Sequence, residues 1–247
     1  MRTALILSLL ISAVGLANDT IDLIGGRAVD PGEYEEVVRI SSGRSWCTAT
    51  VIGPRVLLTA AHCTEENGEV TFEHKDEKYV AVCALAPDYT SSVGDQDMAL
   101  CKMNKDFDGD LGVVGDVVPK MGDTITLIGY GCIRRGGGGG NDGILRVGTA
   151  PVTKEFTHDY YSFHVTGSTA LCFGDSGGPA YLSDPTSSKR LVTGVNSRGD
   201  IRSLSLLTAL PHANSIEFMR AFAANNEVAI CGVAHSTLAH WVMCHKK

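Results

Sequence analysis

The chain has 247 residues, 44% of them apolar and 20% charged, with 28 acidic against 21 basic side chains and a formal net charge of −7. That balance is ordinary for a folded protein and argues against a nucleic-acid partner, which calls for a basic patch. The length admits two small domains or one large all-β unit.

Residues 1–17 have the pattern of a secretory leader. Arg2 supplies the positive start, 4–16 is a continuous stretch of apolar and small residues, and Gly15-Leu16-Ala17 ends it in the small-x-small pattern of a cleavage site. The run falls short of the ~20 residues a membrane span needs, and no later stretch is long and apolar enough. The expectation is a soluble protein outside the cytoplasm, extracellular or periplasmic. Eight cysteines follow: Cys47, Cys63, Cys83, Cys101, Cys132, Cys172, Cys231 and Cys244. An even number behind a leader suggests four disulfides, which spacing alone does not pair. No C-x-x-C is present, so a zinc site is not expected.

A short polar segment, 18–22, leads to Leu23-Ile24-Gly25-Gly26. Turn-bounded, β-branched runs at 37–40 and 47–52 read as strands, joined by a turn at 41–44. The apolar run 56–58 precedes Thr59-Ala60-Ala61-His62-Cys63. Residues 65–78 are rich in Glu and Asp, which tempts a calcium reading. The spacing does not reproduce a dedicated loop for the roughly six to eight oxygens Ca²⁺ wants, so a solvated hairpin is expected. Strands are expected at 79–85 and 98–103, with Asp97 just ahead of the second and Asp95 two residues earlier. Segment 104–120 is broken by Gly109, Gly112, Gly115 and Pro119 and reads as a linker between two halves. A strand at 124–128 leads into Gly129-Tyr130-Gly131. Five consecutive glycines at 136–140 then predict a flexible surface loop. They are no phosphate cradle, which needs a following Lys-Ser or Lys-Thr and a helix. Further strands are expected at 144–152 and 191–197. A helix is expected over 214–224, where Ile216, Phe218, Met219 and Phe222 fall at helical spacing. Residues 227–247 form an extension. Its His235, His240 and His245 lie five apart, which does not gather them on one helix face.

The chemistry concentrates in Gly174-Asp175-Ser176-Gly177-Gly178-Pro179. Three glycines, an acid and a hydroxyl in six residues form no core. Glycine adopts backbone angles closed to other residues and lets a substrate approach the main chain. A serine held there is exposed, and the N–H groups of Gly174 and Ser176 are candidates for an oxyanion hole. With His62, Asp97 and Ser176 in that chain order, the sequence resembles the chymotrypsin-like (trypsin-family) serine endopeptidases over roughly 23–226.

The resemblance implies an all-β fold of two six-stranded antiparallel β-barrels with a C-terminal helix, a protease domain over 23–226 and a catalytic triad of His62, Asp97 and Ser176. It also implies polypeptide substrates, protein inhibitors as a further partner class, a monomer, and no cofactor or metal. Leu23-Ile24-Gly25-Gly26 resembles the family's mature N-terminus, whose freed α-amino group would pair with Asp175. No Lys or Arg lies between Arg2 and Arg27, so a tryptic cut cannot create Leu23 as the first residue. A short propeptide over 18–22, removed by a different kind of protease, is expected. The resemblance pairs Cys47 with Cys63 and places Cys83 beside Cys101. It brings Cys132 near Cys172 in the absence of the usual downstream partner, leaving Cys231 and Cys244, and these last two pairings stay open. At the specificity pocket, Ala170 stands where trypsin-like members carry Asp, which points to cleavage after apolar residues. Ser197-Arg198-Gly199 resembles the family's Ser-Trp-Gly wall, with Arg198 in place of the aromatic residue. The next wall, 203–207, lacks the usual glycine.

Two other classes compete. A non-catalytic binding protein on the same scaffold would usually have lost a triad member, and all three are kept. An esterase of the α/β-hydrolase kind matches Gly-x-Ser-x-Gly locally, but that fold puts its histidine last in the chain.

Overall fold

β-Branched, turn-bounded runs dominate the chain, and they pair into two antiparallel rings. The structure, a computed structural model, describes residues 23–43, 45–139, 142–183, 190–233 and 244. The expected leader, propeptide and tail histidines lie outside these residues.

The first ring is built from β2 (Val37–Ser41), β3 (Trp46–Gly53), β4 (Val56–Thr59), β5 (Glu69–His74), β6 (Glu77–Leu85) and β7 (Ala99–Met103). It closes in the order β2-β3-β4-β7-β6-β5. Closure removes free strand edges. Val51, Leu57, Val70 and Met103 share its inner face, while Leu58 and Leu100 lie on the opposite one, all fully buried. The acidic stretch is the β5–β6 hairpin. Lys75 and Asp76 take left-handed backbone at its tip, as a two-residue hairpin turn requires. Cys83 and Cys101 face each other across β6 and β7 and are bridged.

A short β1 (Arg27–Ala28) and β8 (Val113–Val114) flank the second ring. That ring consists of β9 (Thr124–Gly129), β10 (Arg146–Lys154), β11 (Ser162–Thr166), β12 (Pro179–Ser183), β13 (Arg190–Gly199) and β14 (Leu204–Ala209). Pairing runs β10-β11-β14-β13-β12-β9, and β9 returns to β10. The fold is two closed six-stranded antiparallel β-barrels with one C-terminal helix, as the resemblance implied. The segment between barrels is stitched to both: the Gly112 N–H bonds the Val51 carbonyl, and the Gly115 N–H bonds that of Val192.

The helix α1 (Ala213–Asn226) begins at His212, whose ring accepts the Asn214 N–H, and ends at Glu227 in left-handed conformation. Met219, Phe222 and Ala223 are its buried face. The chain after it packs back into the first barrel. Val228, Ile230 and Val233 are buried, the Cys231 N–H bonds the Ile52 carbonyl, and the Cys231 carbonyl accepts from Val114. The start of the extension is therefore part of the core. Cys47–Cys63, Cys132–Cys172 and Cys231–Cys244 complete four disulfides.

Candidate active site

His62 sits in a 3₁₀ turn, Ala61–Cys63, directly after the buried strand β4. The turn is fixed on both sides. Thr59 Oγ1 donates to the Thr48 carbonyl at 2.9 Å, and the Cys63 sulfur is bridged to Cys47. The His62 side chain is about one-third exposed, while Asp97 behind it is 1% exposed. Nδ1 of His62 lies 2.7 Å from Asp97 Oδ2, and the His62 backbone N–H donates to Asp97 Oδ1 at 3.1 Å. Ser197 Oγ donates to the same Oδ2 at 2.5 Å. Burial alone would raise the Asp97 carboxyl, but the hydrogen bonds and charge of His62 and the Ser197 hydroxyl hold it below the usual carboxylate range. Asp95 does something else: its Oδ2 accepts the backbone N–H groups of Thr90 and Ser92, tying the 90–95 turn.

The Gly174–Pro179 loop is clamped between the barrels. From the first barrel, Thr48 Oγ1 donates to the Gly174 carbonyl at 2.7 Å and the Thr48 N–H to the Ser176 carbonyl at 2.8 Å. From the second, Asn196 accepts the Gly177 N–H on its backbone carbonyl and donates Nδ2 to the Asp175 carbonyl. Gly177 has φ +83°, and a Cβ there would meet Thr59 Oγ1 at 2.0 Å. Among the described residues, the N–H groups of Gly174 and Ser176 donate to no protein atom, which leaves both available to a ligand. No hydrogen bond joins Ser176 Oγ to His62 among them; such contacts tighten when substrate binds.

Asp175 is fully buried beneath this loop. Its Oδ1 accepts the Gly131 N–H and its Oδ2 the Cys172 N–H, each at 2.8 Å. Burial pushes its carboxyl up to about 7, against the lowering effect of those two bonds and of Arg146. The Gly-Tyr-Gly motif exists for this residue: a Cβ on Gly129 would lie 2.2 Å from Asp175 Oδ1, and one on Gly131 2.5 Å from its Cγ. Leu23 is fully buried in the second barrel's core, and the Ile24 carbonyl accepts the Ala170 N–H.

His62 and Ser176 open onto one cavity of about 400 Å³. Ser197, Arg198 and Gly199 line it, as do Leu171, Phe173, Tyr89 and Ile201. Ala170 does not: it is buried against Ile24, Cys132, Cys172 and Ile201. Ile201 is the residue that sequence reasoning missed. It stands at φ +58° in the four-residue turn between β13 and β14. Asp200 builds that turn by accepting the N–H groups of Arg202, Ser203 and Leu204. An Asp opening a short polar stretch between two apolar runs was the available signal. The glycine loop lies at the surface over its described residues 136–139 and is hydrogen-bonded there. Gly136 donates to the Ile201 carbonyl, Arg134 to that of Gly138, and Gly137 packs near the Phe173 ring. Four successive left-handed glycines fold the loop onto the cavity rim. At the far wall Ser205 is fully buried and accepts the Leu171 N–H.

A family model described as Trypsin matches residues 23–206. The chain is 25% identical over 210 residues to a venom serine protease of Polistes dominula, covering 70% of this chain and 74% of that protein. It is 26% identical over 207 residues to a trypsin-like protease of Streptomyces glaucescens, covering 72% of this chain and 73% of that protein. Since the family match spans most of the sequence and the two-barrel fold agrees with it, the chain belongs to the trypsin family of serine endopeptidases.

Proposed function

We propose that the protein is a secreted endopeptidase in which Ser176 is the nucleophile, His62 its general base and Asp97 the acid that orients His62. The observation that carries this reading is the 2.7 Å contact of His62 Nδ1 with the buried Asp97, on a cavity that Ser176 shares. A serine hydroxyl is a poor nucleophile at neutral pH without such a base. Ser176 Oγ bonds to the peptide carbonyl carbon as its proton passes to His62 Nε2. The C–N bond then breaks as that proton moves to the leaving amine, and water repeats the sequence on the acyl-enzyme. Asp97 keeps the proton on Nδ1 and balances the imidazolium. The N–H groups of Gly174 and Ser176, which donate to no atom among the described residues, suit the oxyanion, where one such donor is worth roughly 3–4 kcal/mol.

Cleavage after apolar residues is the specificity proposed. Among the described residues no carboxylate lines the cavity, and Leu171, Phe173 and Ile201 give it apolar walls. Ala170 contributes by carrying no charge behind that wall. Cleavage before Leu23 would release an α-amino group able to pair with Asp175, a buried acid that accepts the neutral N–H groups of Gly131 and Cys172 and feels the charge of Arg146. Among the described residues, no helix is long and apolar enough to cross a membrane. Four disulfides suit an oxidising compartment.

A fluorophosphonate probe tests the reading. Chain beginning at Leu23 should be labelled, Ser176→Ala should not, and a peptide library should be cut after apolar residues. Absence of labelling on correctly processed wild type overturns it, and active protein that still begins at Asn18 overturns the activation route.

A further inference from the structure

Arg198 projects from the end of β13 between two buried acids. Its Nη2 lies 3.6 Å from Asp97 Oδ2 and 3.7 Å from Asp95 Oδ1. Its Nε donates to Ser197 Oγ at 3.3 Å, and its Nη1 to the Ser91 carbonyl at 3.4 Å. Asp95 Oδ1 is buried and accepts no hydrogen bond among the described residues, so it meets this guanidinium by charge. The side chain is 29% exposed and also lines the cavity. A surface cation would be screened here; one that touches two buried carboxylates is screened less.

We propose that Arg198 is a positioning residue of the catalytic machinery, a fixed positive charge that shares the Asp97 carboxylate with His62 and lets the enzyme work at lower pH. The inference rests on the triad reading above. Asp97 Oδ2 receives His62 Nδ1, the Ser197 hydroxyl and, at longer range, the guanidinium. Arginine stays charged at every working pH. It therefore opposes a second positive charge on the imidazole in the free enzyme, where His62 must be neutral to accept the Ser176 proton. The other charged neighbours do not replace it. Asp95 pairs with Arg198 itself, and Tyr160, which feels the Arg198 charge, is raised by burial and stays neutral. Arg198 also holds Ser197, which in turn donates to Asp97, so charge and orientation act through the same residue.

The test is the pH dependence of kcat/KM on an uncharged apolar peptide, for Arg198→Met, Arg198→Gln and Arg198→Lys. Removing the charge in Met or Gln should move the acid limb to higher pH by about half to one unit, the scale of a partly screened charge at this range. Lys should restore most of it. Gln and Lys form a sufficient pair if the Met variant does not fold, because both are long and polar and differ in charge. An acid limb that stays in place in active neutral variants overturns the inference and leaves the triad standing. So does a loss confined to substrates bearing acidic side chains, which would make Arg198 a substrate reader. Wild type that neither hydrolyses peptide nor labels at Ser176 sinks the triad reading and this inference together.

Discussion

Thr48 Oγ1 donates to the Gly174 carbonyl at 2.7 Å and accepts the Tyr130 N–H at 3.1 Å, so one hydroxyl of the first barrel holds two backbone groups of the second. It is fully buried. Thr48→Val keeps the shape and strips both bonds. The orphaned carbonyl and N–H should cost about 1–3 kcal/mol of stability. Release of the Gly174 peptide should misplace the nucleophile loop and lower kcat by about 10–100-fold, with a smaller effect on KM. Thermal melts and steady-state kinetics on the one variant separate the two effects. Unchanged kcat with lowered Tm would make the hydroxyl a structural tie only.

Asp97 and Ser197 are expected to differ in rank. Asp97→Asn cannot hold the proton on His62 Nδ1 in the same way, and kcat should fall by roughly 10⁴ at neutral pH, the family's scale for this change. Ser197→Ala removes one hydrogen bond to a buried carboxylate, at 2.5 Å, and leaves those from His62. A charged hydrogen bond of this kind is worth about 1.5–3 kcal/mol, so kcat should drop about 10–100-fold. Equal losses in the two variants would contradict the roles assigned.

Much of this was legible because the residues involved report on backbone geometry. Gly177 and the Gly129/Gly131 pair stand where a Cβ would strike Thr59 or Asp175, and Gly174 where φ is +101°, so a string of letters carries the constraint. The helix followed from its apolar spacing, and the two-barrel fold from the family resemblance that the motifs carry. What stayed hidden depends on pairing over long separations. Thr48 meets Gly174 across 126 residues, and no local pattern marks one buried Thr among others. The resemblance put Ala170 at the pocket floor, whereas Leu171 and Ile201 line the cavity and Ala170 is buried with Ile201 packed against its cluster. The glycine run announces a surface loop, but composition carries nothing of the Ile201 carbonyl that accepts the Gly136 N–H.

The intact chain should lose stability as pH rises through the acid range, because of Asp175. Burial pushes its folded carboxyl up to about 7, while an unfolded Asp titrates near 3.9. Between about pH 4 and pH 7 the folded chain holds a proton that the unfolded chain has released. The contribution is therefore fully present below about pH 4 and is lost toward pH 7, at up to about 1.4 kcal/mol per pH unit. Asp175→Asn cannot ionise, so the difference in Tm between variant and wild type should grow in the variant's favour across that window. A difference that does not change with pH would show that burial does not control this acid. In chain cut before Leu23 the pairing ammonium should cancel or reverse the trend.

Ile201 limits the cavity. It is β-branched, sits at φ +58°, and packs on Ala170 and the Cys132–Cys172 bridge while also lining the pocket. A β-branched residue in left-handed backbone is strained, and glycine is not. Ile201→Gly should relieve that strain and open the wall where its side chain stood. The buried apolar contact it loses opposes the gain, so Tm should shift by no more than a few degrees in either direction. Specificity should move much further. Peptides with bulky aromatic residues before the scissile bond should gain in kcat/KM over those with small aliphatic ones by about 10-fold or more, since each methylene-sized change in such a pocket is worth ~1–3 kcal/mol. Peptide-library profiling of the two proteins side by side measures it, and an unaltered size preference would remove Ile201 from the specificity pocket.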